Sequence, residues 1–449
     1  MIRLHDTASG RVTDLTLRDA GRVSMYVCGP TVYDVPHVGH GRSVLVYDVL
    51  RRYLEWSGLE VRHVSNVTDV DDKIIARAQR DGRSPSDVAK QYEQVWYEAV
   101  DALGVLRPTH DPHATDYVDE MVDIVRRLVE RGVAYETPDG VYFGVESIEG
   151  YGLLARQPLE SLRAGERVEV VEEKRSPLDF ALWKRAKPGE PAWESPWGPG
   201  RPGWHTECVV MSLALLGDGF DLHAGGLDLQ FPHHENERAQ AVALGHVFAR
   251  HWIHHAFVEI GGEKMSKSLD NFTSLSDLLH RADPRAYRLL VLQSHYRSPM
   301  ELEPERLDEA GHSLRRIDEL ARRTASLRPA PPQTAALDRF RAHMDDDLGT
   351  PGATAVLFDL VKQANAALDR GDRGAAATGA AAALEIARVM GLEARTGEER
   401  PDEEAARLVA ERDAARRARD FARADALREE LAARGWTVKD TPGGTELHR

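Results

Sequence analysis

The sequence predicts an α/β protein in which a parallel sheet, interrupted by an insertion, is followed by an α-helical C-terminal region. Three observations predict it. Near the N-terminus a β-rich run, a Gly-containing loop, an apolar run at helical spacing and a second β-rich run follow one another, the order of a βαβ unit. After residue 203 the same alternation returns. From about Leu302 the composition shifts to Ala, Arg, Glu and Leu, residues of high helix propensity.

Taken in order, Arg22-Val-Ser-Met-Tyr-Val-Cys28 reads as a strand, ended by the turn signal Gly29-Pro30. Between Val38 and Trp56, residues Val44, Leu45, Tyr47, Val49, Leu50, Tyr53 and Leu54 recur at helical spacing; Gly58 stops the helix, and Glu60 to Val67 reads as the next strand. Parallel sheets bind ligands beyond the carboxyl ends of their strands, which places Cys28 and the loop after it at the predicted site. Ser86 to Arg131 is mainly helical, broken at Pro108 to His113, and strand-like pieces surround Asp139-Gly140. Trp204 to Leu216, Phe220 to His223, a helix after Pro232 and His255 to Ile260 then complete the nucleotide-binding fold. A Pro-rich linker (Pro329-Ala-Pro-Pro332) and a polar one (Arg395 to Pro401) divide the helical region, in which the Ala-rich run from Gly374 to Leu384 is helix-forming sequence.

The 449 residues correspond to about three domains at ~150 residues each, and 42% hydrophobic residues suffice for a sizeable core. With 73 acidic against 58 basic residues the formal charge is -15, which excludes a bulk coater of DNA or anionic membranes. A nucleic-acid partner must meet a local basic face. The N-terminus lacks the apolar core of a signal peptide, and the longest apolar stretch, Val209 to Leu216, is far short of the ~20 residues of a membrane span. The expectation is a cytoplasmic protein. Its two cysteines, Cys28 and Cys208, are too few for a disulfide framework and leave three readings: inert buried thiols, one disulfide, or two ligands of one metal.

Two segments suit phosphate chemistry. His37-Val38-Gly39-His40 lies where the first long helix begins, so unpaired backbone N–H groups, the positive end of the helix dipole and two imidazoles face one point. Gly261-Gly262-Glu263-Lys264-Met265-Ser266-Lys267-Ser268 offers two lysines on a Gly-supported loop, able to neutralise charge on a departing pyrophosphate. A third segment, Pro232-His233-His234-Glu235-Asn236-Glu237, places His233 and Glu237 at i and i+4 on one helix face. With Cys28 and Cys208 these would form a ligand set that suits zinc; alone, the pair is equally a solvated capping cluster.

The run Tyr26-Val-Cys-Gly-Pro-Thr-Val-Tyr-Asp34, HVGH, Ser65-Asn-Val-Thr-Asp-Val-Asp-Asp-Lys73, Asp179-Phe-Ala-Leu-Trp-Lys184, Gly203-Trp-His-Thr-Glu-Cys208, Phe231-Pro-His-His-Glu-Asn-Glu237 and KMSKS together resemble the cysteinyl-tRNA synthetases, class I aminoacyl-tRNA synthetases, over nearly the whole chain. The resemblance implies a class I Rossmann-like catalytic domain. It implies a division into residues 1–105 and 203–260 as halves of that domain, 106–202 as a connective insertion, 261–310 as the KMSKS-bearing stem-contact region, 311–395 as a helical bundle and 396–449 as an anticodon-binding region. It implies zinc on Cys28, Cys208, His233 and Glu237, holding the thiol of substrate L-cysteine. It implies ATP, with magnesium, on His37, Gly39, His40, Lys264 and Lys267, with Asp228 of Gly225-Gly226-Leu227-Asp228 reaching the ribose. Trp204, with Thr31 and Thr68, would line the amino-acid pocket, and a monomer acting on the cysteine-specific tRNA, with no membrane or DNA partner, is expected.

Arg412, Arg416, Arg419 and Arg423 would form a basic stripe for tRNA on a continuous helix, or an exposed face paired with Asp413 and Asp420. The sequence departs from the family pattern at Asp270, Ala224 and Leu447, where glycine, glycine and tryptophan are usual. Two alternatives share parts of the pattern: a ligase joining cysteine to an amino sugar in mycothiol-type synthesis, or a specialised paralogue; and a non-catalytic, zinc-stabilised RNA-binding protein. The Cys-Gly-Pro-Thr-Val-Tyr run and the Ala/Arg-rich tail favour the tRNA enzyme, and intact HVGH and KMSKS segments favour catalysis.

Overall fold

A computed structural model describes residues 1–157, 174–261, 263–264, 273–396, 403–433, 436–441 and 444–448. They form two units, residues 1–394 and 395–449. In the first unit a short antiparallel pair, β1 (Arg3–Asp6) and β2 (Arg11–Asp14), precedes β3 (Arg22–Val27), α1 (Val38–Trp56) and β4 (Glu60–Ser65). Two helices, α2 (Asp72–Asp81) and α3 (Pro85–Ala102), lead to α4 (Val118–Glu130) and to a four-stranded antiparallel sheet of β5 (Ala134–Thr137), β6 (Gly140–Phe143), β7 (Phe180–Arg185) and β8 (Gly200–Pro202). Then come α5 (Trp204–Leu216), β9 (Phe220–Gly226), α6 (Glu235–Ala243) and β10 (Ala249–His255).

The central sheet has the order β10-β9-β3-β4, and every pairing in it is parallel. Parallel strands are covered on both faces, and β3 reads accordingly: Val23, Met25 and Val27 enter a core with Leu45, Val49 and Tyr53 of α1, while Tyr26 enters one with Val209 and Met211 of α5 and Met121 and Val125 of α4. The helix predicted from Val38 to Trp56 has those limits because His37 caps it and Gly58, at φ +90°, lies just beyond its end. The strand expected at His255 to Ile260 is placed differently: β10 ends at His255, and β11 (Val258–Ile260) joins another sheet with β12 (Glu263–Lys264) and β13 (Met300–Glu301). Between β12 and β13 lie α7 (Leu275–Arg281) and α8 (Pro284–Leu292).

Helices α9 (Pro304–Thr324), α10 (Thr334–Asp345), α11 (Thr350–Asp369) and α12 (Arg373–Val389) complete the first unit and pack onto the α1 side of the sheet through Phe340, Leu357, Leu360 and Ile386. An ion pair is buried under them: Arg288 Nη1 donates to Asp48 Oδ2 at 2.5 Å, with both side chains inaccessible.

The second unit is built from α13 (Glu403–Arg417), α14 (Phe421–Ala433) and an antiparallel hairpin of β14 (Thr437–Thr441) and β15 (Gly444–His448), around Leu408, Leu427, Leu431, Trp436 and Val438. Leu447 packs against that cluster. The continuous arginine stripe does not form. The helix breaks between Arg417 and Phe421, where Arg419 takes a left-handed φ of +61° and Asp420 accepts from the Arg423 N–H to start a new helix. Arg412 is buried and donates to Thr445, while Arg423 pairs with Glu411. Among the described residues no helix is long and apolar enough to cross a membrane.

Candidate active site

A cleft of about 370 Å³ opens at the carboxyl ends of β3, β4 and β9, lined among others by Cys28, Thr31, His37, Gly39, His40, Trp204, Gly226 and Asp228. Its floor is where chain segments distant in sequence converge. Cys28 follows β3, with its N–H donating to the Ala224 carbonyl of β9, which places the buried Ala224 in the sheet core. Gly29 sits so close to the Asn66 carbonyl that a Cβ would lie 1.6 Å from its oxygen, so only glycine permits this turn. Cys208 comes from α5; His233 comes from an irregular turn whose Phe231–Pro232 bond is cis, and Glu237 from the first turn of α6.

The ligand atoms of Cys28, Cys208, His233 and Glu237 lie within 4.8 Å of one another. The two sulfurs are 3.8 Å apart as free thiols. Cys28 Sγ is 3.7 Å from Glu237 Oε1, Cys208 Sγ 3.6 Å from His233 Nε2, and His233 Nε2 3.0 Å from Glu237 Oε1. A second set overlaps it: Cys28, His223, His234 and Glu237 meet the same 4.8 Å limit, with His234 Nε2 3.3 Å from Cys28 Sγ and His223 Nε2 2.7 Å from Glu237 Oε2.

Around these atoms the polar contacts are ordered. His233 Nδ1 is 2.8 Å from His205 Nδ1, and Trp204 stacks on the His233 ring at 4.0 Å between centroids. Further in, His234 Nδ1 meets His254 Nε2 at 2.8 Å, whose Nδ1 meets Thr7 Oγ1 at 2.7 Å. Asn66 Oδ1 accepts from the Gly29 N–H and lies 3.8 Å from Cys208 Sγ, Asn66 Nδ2 donates to Thr68 Oγ1, and Thr68 donates to Glu207. Thr68 is thus buried behind the pocket wall, while Thr31 pairs with it along the backbone and reaches the cleft.

Burial governs the protonation of this cluster. It pushes both thiols up, raises the Glu237 carboxyl well above the usual range, and drives His233 and His234 well down. Burial therefore disfavours the charged forms of two thiols, a carboxyl and imidazoles held at contact distance. A divalent cation reverses that balance by stabilising thiolate and carboxylate, and sulfur, nitrogen and oxygen donors in this number fit zinc.

On the rim, His37 caps α1 reciprocally with His40: the His40 N–H donates to His37 Nδ1 at 3.3 Å, the His37 N–H to His40 Nδ1 at 3.1 Å, and the rings stack at 3.7 Å. Asp228, in a short turn after β9, faces the same space. Lys264 belongs to β12; its side chain, and the whole of Lys267 and Asp270, lie outside the described residues. Sequence reasoning missed the imidazoles of His205, His223 and His254 and the carboxyl of Glu207; the only local signal was the pairing of histidines at 233–234 and 254–255.

Residues 15–312 match the model of the tRNA synthetases class I (C) catalytic domain, residues 339–394 that of the DALR domain, and residues 400–446 that of the cysteinyl-tRNA ligase anticodon binding domain. The cysteine–tRNA ligase of Thioalkalivibrio sulfidiphilus is 46% identical over 460 residues, and that of Alkalilimnicola ehrlichii 47% over 464, each alignment covering 100% of both chains. The chain belongs to the cysteinyl-tRNA synthetase family. It is accordingly an enzyme, a cysteine–tRNA ligase whose substrates are cysteine, ATP and tRNA. Among solved structures, methionyl-tRNA synthetase of Mycobacterium tuberculosis in complex with methionyl-adenylate superposes with a TM-score of 0.60 at 17% identity, covering 83% of this chain and 90% of that one. That likeness gives this cysteinyl-tRNA synthetase family member the class I fold.

Proposed function

We propose that the protein activates L-cysteine with ATP as cysteinyl-adenylate and transfers the cysteinyl group to the 3′ end of its cognate tRNA, with a zinc ion on Cys28, Cys208, His233 and Glu237 selecting the thiol. The convergence of those four ligand atoms within 4.8 Å at the cleft floor carries the reading. The two overlapping sets share Cys28 and Glu237, and the first is favoured because its imidazole, His233, stacks on Trp204, a residue that lines the cleft. His205 on the far nitrogen of His233 is the partner that fixes a ligating ring. When bound, zinc supplies a soft Lewis-acid centre that takes a thiolate and not the hydroxyl of serine.

The chain's own residues do the rest by positioning and electrostatics. The start of α1, with His37, Gly39 and His40, presents the positive end of the helix dipole and two imidazoles to the triphosphate; the N–H groups of Val38, His40 and Gly41 are already donated within the protein. Lys264 and Lys267 offset the charge on pyrophosphate, Asp228 takes the ribose diol, and Thr31, Thr68 and Trp204 shape the amino-acid pocket. Magnesium accompanies the nucleotide. In the first step the cysteine carboxylate attacks the α-phosphorus and pyrophosphate leaves; in the second a terminal ribose hydroxyl of tRNA attacks the cysteinyl carbonyl and AMP leaves. No protein nucleophile takes part.

In the same reading residues 1–105 and 203–260 are the catalytic halves, 106–202 the insertion, 261–310 the stem-contact region, 311–395 the bundle and 396–449 the anticodon reader, in a cytoplasmic monomer. Cysteine-dependent ATP–pyrophosphate exchange, followed by transfer of labelled cysteine to tRNA or to an amino sugar, tests it. Exchange with transfer to tRNA is expected. Absence of exchange, or transfer to the sugar alone, overturns it, and the anticodon-binding match disfavours the sugar ligase.

A further inference from the structure

Arg42 lies on α1 two residues beyond His40, is fully buried, and has no carboxylate in ion-pair contact among the described residues. Its guanidinium is held instead by backbone oxygens. Nη1 donates to the Phe257 carbonyl at 2.5 Å, and Nη2 to the carbonyls of His295, Tyr296 and Ser298 at 3.2, 3.3 and 2.6 Å. Burial brings its pKa down to about 10, so it remains a cation at neutral pH. A buried cation with no anion in contact is costly unless hydrogen bonds compensate it, and here four backbone carbonyls do.

What it holds together are the roots of two strands. Phe257 immediately precedes β11, and Ser298 stands two residues before β13, the two strands that pair in the small sheet. Phe257 O also accepts from the Met300 N–H, and Tyr296 O from the Ala256 N–H, so one side chain ties both connections at their crossing. Lys264 stands on β12 directly across from Glu259 of β11, two residues from the Phe257 anchor. The segment 295–298 is itself braced from behind, where Tyr296 Oη and Arg297 Nε donate to the Asp347 carboxylate at 2.6 and 2.7 Å, and Asp347 occupies a left-handed φ of +56°.

Further along the chain, Thr273 to Leu275 return to the same helix start. Val38 N–H donates to Thr273 O at 3.2 Å, Leu275 N–H to Pro36 O at 2.9 Å, and Tyr287 Oη to Val38 O at 2.6 Å. Both stems of the Lys264 to Ser268 segment are therefore anchored on the first turns of α1, one through backbone pairing and the other through Arg42.

We infer that Arg42 is a positioning residue for ATP activation: it sets the strand that carries Lys264 at a fixed place relative to the His37–His40 turn, so that both phosphate-binding elements address one triphosphate. This rests on the proposal that those elements bind ATP. Misplacing a group by about an ångström is worth up to ~100-fold in rate, so the expected effect is on ATP and not on cysteine.

Arg42→Lys and Arg42→Gln in the full-length chain, followed by exchange kinetics and metal analysis, test it. Roughly 10 to 100-fold in kcat/KM for ATP should be lost, with Arg42→Lys the milder because it keeps the charge but not the fork. The cysteine KM and metal content should be unchanged. Tyr296→Phe, which loosens the brace and leaves the fold intact, should raise the ATP KM alone by a smaller factor. Wild-type ATP kinetics in a folded Arg42→Lys overturn the inference. So does a parallel rise in both KM values with metal loss, or an insoluble Arg42 pair beside a kinetically normal Tyr296→Phe. If Lys267→Ala leaves exchange intact, the ATP reading itself fails; if it slows exchange while Arg42→Lys does not, only the positioning role fails.

Discussion

At the floor of the cleft Cys208, His233 and Glu237 are buried against one another and against a further tier of imidazoles, whereas on its rim His37 and His40 stand half-buried at the start of α1. The floor is largely buried, contributed by the end of β3, α5, α6 and the turn before it, and every ligand atom has a partner at contact distance. The rim uses a helix start and side chains that water reaches. Each suits the task proposed for it. Telling sulfur from oxygen requires a fixed centre that leaves no alternative contact, while triphosphate binding and pyrophosphate departure require charge that can be approached and released.

The sharpest way to break this division is Cys208→Ser. Replacing a soft ligand by a hydroxyl should strip the metal and remove a discrimination that specific polar contacts can carry to ~10⁴–10⁵, so serine-dependent exchange should rise relative to cysteine-dependent exchange. Metal content and the cysteine-to-serine preference check it together. If neither changes, the floor is not the selector.

Lys267→Ala should act on the rim alone. Loss of one group that offsets developing charge is worth ~10²–10³ in the chemical step, and single-turnover adenylate formation should slow by about that factor with the metal retained. A variant that charges tRNA poorly but forms adenylate at the normal rate would assign Lys267 to tRNA and not to ATP.

The same division decides what was legible in the sequence. Local physics made α1 and β3 readable: His37 as cap, Gly58 as stop and a β-rich run closed by Gly29-Pro30 are signals carried by adjacent residues. Helix α2 carries comparable ones, Asp71 as cap and left-handed Gly82 as stop, yet the sequence reading begins its helical region at Ser86 and gives those ten residues no element. The floor was legible only through resemblance, since nothing near Cys28 announces Cys208, and the histidine tier of 205, 223 and 254 is assembled by tertiary packing of separate segments. The arginine stripe failed for a local reason that was present: Asp420 is a good cap, and a cap inside an arginine-rich run ends one helix and begins another.

His63 offers the smallest test, and it contrasts two ways of burying an imidazole beside one cleft. On the sulfur side His254 is bonded to both His234 and Thr7, whereas His63, on β4, has neither ring nitrogen bonded among the described residues. Burial drives the His63 pKa from 6.5 to about 3. Between those values the unfolded chain binds a proton that the folded one refuses, so this residue lowers stability as pH falls below about 6.5 and ceases to add to the loss near 3. His63→Leu should therefore raise stability by roughly 1–2 kcal/mol at neutral pH, by removing two unpaired polar atoms, and should flatten the acid limb in that window. Urea midpoints of variant and parent at neutral and at acid pH check both effects. An unchanged acid slope would mean that the ring finds a partner in solution, and that the two sides of the cleft bury their histidines alike.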